Sequence, residues 1–375
     1  MSNIIAAEVF PPGEFIQEEL DARGWTQSDF ATIIGRPIQA VNEFISGKRS
    51  ITADTAREIG EAFGTSAQLW LNLETAWRLS QASAPDGAIA KRAKLYGAAP
   101  IKELIRRQWI ESNDSDDVLE RNVLRLMGIP AIGHTPSFCA AARMSSNYST
   151  WSPSQVAWLR QAQKMAQRVD ASKFKKSEFQ NAVHDVRDLA TNEADVARIP
   201  RFLSDLGVRL VIVEHLKGTK VDGAAFWLDD KSPVVALSMR FDRIDYLWHT
   251  LGHELGHIVS GDGTAYYDEE AELLSKDQRP QEEIAADQFA AELLIPQEEM
   301  NDFIARVHPL YSEKKIVGFA NRIGVHPGVV VGQLHFREEI KYSHSRAMLV
   351  KVRHLLVETA MSDGWGHSAA LSSME

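Results

Sequence analysis

The residues that most directly spell out a chemistry are His253-Glu254-Leu255-Gly256-His257. Two histidines four apart on a helix stand one above the other on one face, within reach of one ion. Glu254 projects from the neighbouring position, so it approaches water on that ion without entering its coordination sphere. A catalytic zinc of this kind needs a third protein ligand and an open position for water. Zinc so held polarises a scissile carbonyl and lowers the pKa of its water from ~15.7 toward ~7. Glu254 then takes the proton and passes it to the leaving amine, giving peptide hydrolysis without a covalent intermediate.

The third ligand should come from a second helix, which the stretch from Glu283 to Pro296 supplies. Ala286, Phe289, Ala290, Leu293 and Leu294 form its apolar stripe, and the alanines allow close packing on the first helix. Glu283 and Asp287 share a face, which assigns Glu283 to the metal and Asp287 to a hydrogen bond that orients a ligand histidine. The rival ligands are Glu282, which should point off the apolar face, and the acids from Asp268 to Glu272. His249, one turn before His253, reads as a further ligand or as a polar contact beside the site. His326 and His335 follow a loop and read as structural or solvent-facing.

These residues need a scaffold. From Gly207 the pattern changes to short branched or aromatic runs, Val208 to Val213, Ala224 to Leu228 and Val234 to Ser238, which predict a small antiparallel sheet. A helix follows from about Asp242, with Asp245 in its first turn and Ile244, Leu247, Trp248, Leu251, Leu255, Ile258 and Val259 on one apolar face. Between a linker at Ala82 to Gly87 and Arg201 the pattern is mostly helical, broken at Gly128 to Pro136 and Asn147 to Pro153. That middle region reads as a connector or a partner-binding surface.

Residues 14 to 80 predict about five short helices. Gly24, Gly35, Gly47 and Gly64 close successive segments, Thr26, Thr52 and Ser66 stand at N-cap positions, and Pro37 suits the first turn of the third helix. Thr26 to Gly47 has the spacing of a helix-turn-helix, with Ala31 at the crossing and Ile34, Val41 and Ile45 toward the shared core. Its second helix would expose Gln39 and Asn42 to the major groove, with Gln27, Arg36, Lys48 and Arg49 near phosphates. Acids outnumber bases in this segment, so binding by one copy should be weak and a homodimer on adjacent half-sites is expected.

Composition bounds the rest. A chain of 375 residues with 44% hydrophobic and 25% charged residues predicts two or three soluble globular units. One cysteine, Cys139, excludes an internal disulfide and a cysteine-rich metal module, and fits a cytoplasmic protein. Nowhere do roughly 18 apolar residues stand together, so no membrane partner is expected. The formal charge of -10 argues against a whole surface that grips nucleic acid, though not against a local patch.

Two resemblances follow. Residues from about 11 to 80 resemble the Xre-type helix-turn-helix of HigA-type antitoxins, through Trp25-Thr26-Gln27, Gly35, Ser46-Gly47-Lys48-Arg49 and Trp70-Leu71-Asn72-Leu73. Residues from about 205 to 335 resemble the ImmA/IrrE metallopeptidase family. That match rests on Asp222-Gly223, the HELGH string, the run from Glu283 to Pro296, and Gly324 to Gly332. It implies His253, His257 and Glu283 as zinc ligands, Glu254 as the catalytic residue, and a role in relieving repression, because relatives cleave a repressor that carries a helix-turn-helix. His249 departs from the apolar or aromatic residue common in relatives.

The expected fold is α+β and mostly helical. It comprises a helix-turn-helix DNA-binding domain at 1–82, a helical connector at 88–201, a zincin-like metallopeptidase domain at 202–340, and a helix with a disordered tail at 341–375. The expected function is a regulator that binds operator DNA and hydrolyses a protein substrate, a repressor or itself. The alternative is a non-enzymatic antitoxin that represses its operon and sequesters a toxin.

Overall fold

The structure, a computed structural model, describes residues 9–83, 87–113, 115–134, 152–261 and 280–363, and the backbone of 265–268. Cys139, the rival acids Asp268 to Glu272 as ligands, most of the break at Asn147 to Pro153 and the tail beyond residue 363 lie outside it. The chain divides into two compact units, one up to residue 87 and one from residue 88.

The first unit is a bundle of α1 (Pro12–Arg23), α2 (Gln27–Ile33), α3 (Ile38–Ile45), α4 (Ala53–Phe63) and α5 (Ala67–Gln81). The side chains of Thr26, Thr52 and Ser66 accept the backbone N–H of Asp29, Thr55 and Leu69, and Asp29 closes a capping box by accepting from the Thr26 N–H. The Thr26 hydroxyl, which also donates to the Asp29 carboxylate, and then the Thr26 N–H hold that carboxyl below its ordinary value. Gly24, Gly35, Gly47 and Gly64 all adopt positive φ where the helices end. Pro37 sits one position earlier than expected, as the N-cap of α3. Phe30, Val41, Phe44, Ile59, Phe63 and Trp70 are buried, with Phe30 and Phe63 stacked at 4.8 Å. Ala31 is buried as expected. Ile34, the C-cap of α2, and Ile45, off the inward stripe of α3 through Ala40, Val41 and Phe44, were expected in the core and lie half-buried at its border.

The second unit is built on a sheet of β1 (Arg209–Ile212), β2 (Val221–Trp227), β3 (Pro233–Leu237), β4 (Ala265–Asp268) and β5 (Met361–Ser362), in the order β4-β2-β3-β1-β5. The antiparallel sheet read from sequence is corrected to a mixed one. β2 is antiparallel to β3 and β4, whereas β1 is parallel to β3 and β5. Sequential strands usually pair, but here the loop after β1 carries the chain past the place of β3, so β1 neighbours the strand that shares its direction.

Alternate strand residues enter two cores. Leu210, Ile212, Ala225, Val235 and Leu237 face one helical layer, while Val211, Val213, Ala224, Phe226, Val234 and Ala236 face another. The second layer is α6 (Ala88–Ala98), α7 (Ile101–Arg106), α8 (Asp116–Met127) and α9 (Pro153–Ala166), and the Trp158 indole N–H donates to the Val213 carbonyl at 2.8 Å. Of the stretch 88–201 expected as a connector, the described helices α6 to α9 cover one sheet face, while Phe179, Val183, Val186 and Ile199 enter the core on the other.

The opposite face carries α10 (Lys176–Ala182), α11 (Ile199–Asp205), α12 (Ile244–Ser260), α13 (Gln281–Leu294), α14 (Gln297–Val307), α15 (Glu313–Ile323), α16 (Pro327–Phe336) and α17 (Arg353–Thr359). α12 is buried on nearly every side from Thr250 to Ile258, so His253, Glu254 and His257 are carried into the core. Among the described residues no helix is long and apolar enough to cross a membrane.

Candidate metal centre

α12 and α13 lie face to face because small residues line the contact. A Cβ on Gly252 would stand 3.1 Å from the Ala290 Cα, and one on Gly256 3.1 Å from the Ala286 Cα. This proximity brings Glu283 to the histidines of α12. His253, His257 and Glu283 are 0%, 1% and 2% exposed, so all three candidate ligands converge inside the protein. The two Nε2 atoms are 3.1 Å apart, and Glu283 oxygens lie 3.2 Å from His253 Nε2 and 3.6 Å from His257 Nε2. Among the described residues this trio is the cluster whose ligand atoms all fall within 4.8 Å of one another.

The donor set fits a divalent cation. Two nitrogen atoms facing each other at 3.1 Å cannot both carry hydrogens, and a buried carboxylate beside them needs a positive partner. Asp287 selects the form a metal requires. Its Oδ1 lies 2.8 Å from His253 Nδ1, so in the neutral imidazole the proton sits on Nδ1 and Nε2 turns its lone pair to the cluster. Burial alone would lower the His253 pKa. The hydrogen bonds with Asp287 and Glu283, and the charges of Glu254 and Glu283, outweigh it and raise the metal-free value to about 10.

Glu254 is fully buried, and neither carboxylate oxygen completes a protein hydrogen bond. Burial, reinforced by the charge of Glu283, pushes its pKa up to about 8, against the opposing pull of His253 and the Ala225 backbone. Gly223 on β2 makes room for it, since a Cβ there would lie 2.6 Å from Glu254 Oε1. Next to Gly223, the buried Asp222 pairs bidentately with Arg240 at 2.8 and 2.9 Å and accepts from the Tyr246 hydroxyl at 2.8 Å. That network ties β2 to the start of α12. Sequence reasoning noted Asp222-Gly223 only as part of a resemblance and missed Arg240 and Tyr246, whose role depends on contacts distant along the chain.

The other residues fall as follows. Glu282 is exposed, so it leaves the cluster to Glu283. His249 lies outside the trio, with Nε2 4.0 Å from the Asp287 oxygen that also serves His253. His326 accepts from the Gly328 N–H as the N-cap of α16, and His335 is buried with Nε2 3.0 Å from the His344 carbonyl. In the first unit Gln39, Asn42, Lys48 and Arg49 are exposed on or just after α3, with Gln39 donating to Glu43 and Arg49 lying 3.3 Å from the same carboxylate. Arg36 instead forms a bidentate pair with Glu58 at 2.8 and 2.9 Å, and Gln27 donates to Gln17.

Residues 204–335 match the family model described as an IrrE N-terminal-like domain, and residues 16–70 match a helix-turn-helix model. An uncharacterised HTH-type transcriptional regulator, YddM of Escherichia coli K12, is 34% identical over 71 residues, covering 19% of this chain and 76% of the relative. Virulence-associated protein I of Dichelobacter nodosus is 39% identical over 72 residues, 19% of this chain and 67% of the relative. Among solved structures, a HigA-family addiction module antidote protein from Coxiella burnetii is 36% identical, covering 19% of this chain and 79% of that one, with a TM-score of 0.19. The Pseudomonas aeruginosa antitoxin HigA, solved with the higBA promoter, is 31% identical, covering 20% and 82%, with a TM-score of 0.19. The chain thus belongs to the helix-turn-helix regulators through residues 16–70 and carries an IrrE N-terminal-like domain over residues 204–335.

Proposed function

We propose that this chain is a DNA-binding regulator whose second unit is a zinc-dependent endopeptidase. The observation that carries the enzymatic reading is the buried convergence of His253, His257 and Glu283 beside Glu254, a buried carboxylate whose two oxygens complete no protein hydrogen bond. His253 and His257 would hold the ion through Nε2 and Glu283 through its carboxylate. Zinc bound there supplies Lewis-acid activation of water and of the scissile carbonyl. Asp287 keeps the His253 proton on Nδ1, and Glu254 takes the proton of the attacking water and returns it to the amine nitrogen. The substrate is a protein, either a partner repressor or the chain itself.

Operator binding is assigned to α3, with Gln39 and Asn42 toward base edges and Lys48 and Arg49 toward phosphates, in a homodimer on paired half-sites. Arg36 and Gln27 are spent within the unit and contribute to its stability instead.

The deciding experiment pairs zinc content with cleavage. Glu254→Gln should retain zinc and lose cleavage, while Glu283→Gln should lose both. Equal cleavage by wild type and Glu254→Gln sinks the assignment. A second reading, a non-enzymatic antitoxin, is favoured by the likeness of the first unit to HigA-family proteins. It predicts a chain that holds a small toxin and whose function is indifferent to chelator.

A further inference from the structure

The helices that cover the far face of the sheet border an open cleft of about 490 Å³ between α8, α9 and the turn after α7. Small-molecule sites typically span roughly 300–1,000 Å³, with an apolar floor and a few placed polar groups. Here Trp109, Ile110 and Leu126 supply buried apolar walls, and Arg125, Arg160 and Lys164 bring three cations from two helices to one opening. Glu111 is the acid among the lining residues. The lining of this cleft is thus basic in a chain whose net charge is -10.

Three details argue that the cleft is built. The Arg160 guanidinium is held in place by the Met127 carbonyl at 3.1 Å and by Gln163 Oε1 at 2.9 Å. It lies against the bare backbone of Gly128, where a Cβ would stand 3.0 Å from it. Gln108, which also lines the cleft, adopts φ of 57°, a conformation that costs a side-chain-bearing residue energy and that tends to persist at functional places. Beside it the Trp109 indole N–H is buried without a protein acceptor, in a residue only 6% exposed.

We propose that this cleft binds a small organic anion, a carboxylate or phosphate ester with an apolar body. Its charged end meets Arg125, Arg160 and Lys164, and its body rests on Ile110 and Leu126. The site is separate from the metal centre, so its test is independent of any peptidase activity.

Isothermal titration of the full chain with octanoate and with phenyl phosphate tests this, with inorganic phosphate as a probe of charge alone. At least one organic anion should bind, and which one does identifies the head group. Arg125→Glu and Lys164→Glu, both at exposed positions, should each weaken binding on the order of tenfold at an unchanged thermal midpoint. Arg125→Gln and Lys164→Gln should give smaller losses in the same direction. The proposal is overturned if neither organic anion binds, if the reversals bind as wild type does, or if inorganic phosphate binds as tightly as the organic anions.

Discussion

Gly256 on α12 faces Ala286 on α13 so closely that any side chain on the glycine would begin 3.1 Å from the Ala286 Cα. The same happens one turn earlier between Gly252 and Ala290. The helix separation therefore depends on two missing side chains, and so does the reach of Glu283 to His253.

Gly256→Val should overpack this seam, costing about 1–3 kcal/mol and lowering zinc affinity as Glu283 is pushed away. Urea midpoints combined with zinc competition titrations measure both effects. A variant that loses stability and keeps wild-type zinc affinity would show that the seam does not position the ligand.

Asp287 touches His253 at Nδ1, the ring nitrogen that does not face His257. Asp287→Ala should weaken zinc binding about 10- to 100-fold while the fold persists. Competition against a chromogenic chelator reads this directly.

The Asp222 carboxylate is buried and neutralised by Arg240. Arg240→Met leaves that charge unpaired and should cost about 3–5 kcal/mol, whereas Tyr246→Phe, which removes one hydrogen bond, should cost about 1 kcal/mol. Chemical denaturation distinguishes the two, and equal losses would refute the charge argument.

Glu339 accepts from the Tyr311 hydroxyl at 2.6 Å and pairs with His308, which hold its carboxyl below the ordinary value of 4.5. A depressed carboxyl stabilises the folded state above its unfolded pKa, and the contribution disappears as pH falls through the folded pKa. Thermal midpoints of wild type and Glu339→Gln should thus differ at pH 6 and converge as pH drops below 4.5.

For DNA, Lys48→Ala should weaken binding to every duplex alike and reduce the salt slope by about one, while Asn42→Ala should relax preference at one base pair. Gel-shift or anisotropy titrations over a salt series separate the two. Arg36→Ala, which breaks the Glu58 pair, should act on stability and leave the salt slope intact.

Much was legible from local pattern. Helix ends in the first unit were announced by Thr26, Thr52 and Ser66 and by four glycines, because caps and left-handed turns depend on neighbours within a few residues. Likewise the four-residue spacing of His253 and His257 settles their shared helical face, and the stripe from Ala286 to Leu294 orients Glu283 inward.

Tertiary structure decided what depends on distant partners. Val208 to Val213 and Val234 to Leu237 are apolar at nearly every position, a sign of a sheet covered on both faces, yet nothing local says that helices α6 to α9 provide the second cover. The parallel placement of β1 beside β3 and the spending of Arg36 on Glu58 are of the same kind. Spacing along a helix is dictated by covalent geometry, so one segment suffices to read it. Strand order and charge pairing are settled by competition among segments far apart in the chain, which only the folded molecule resolves.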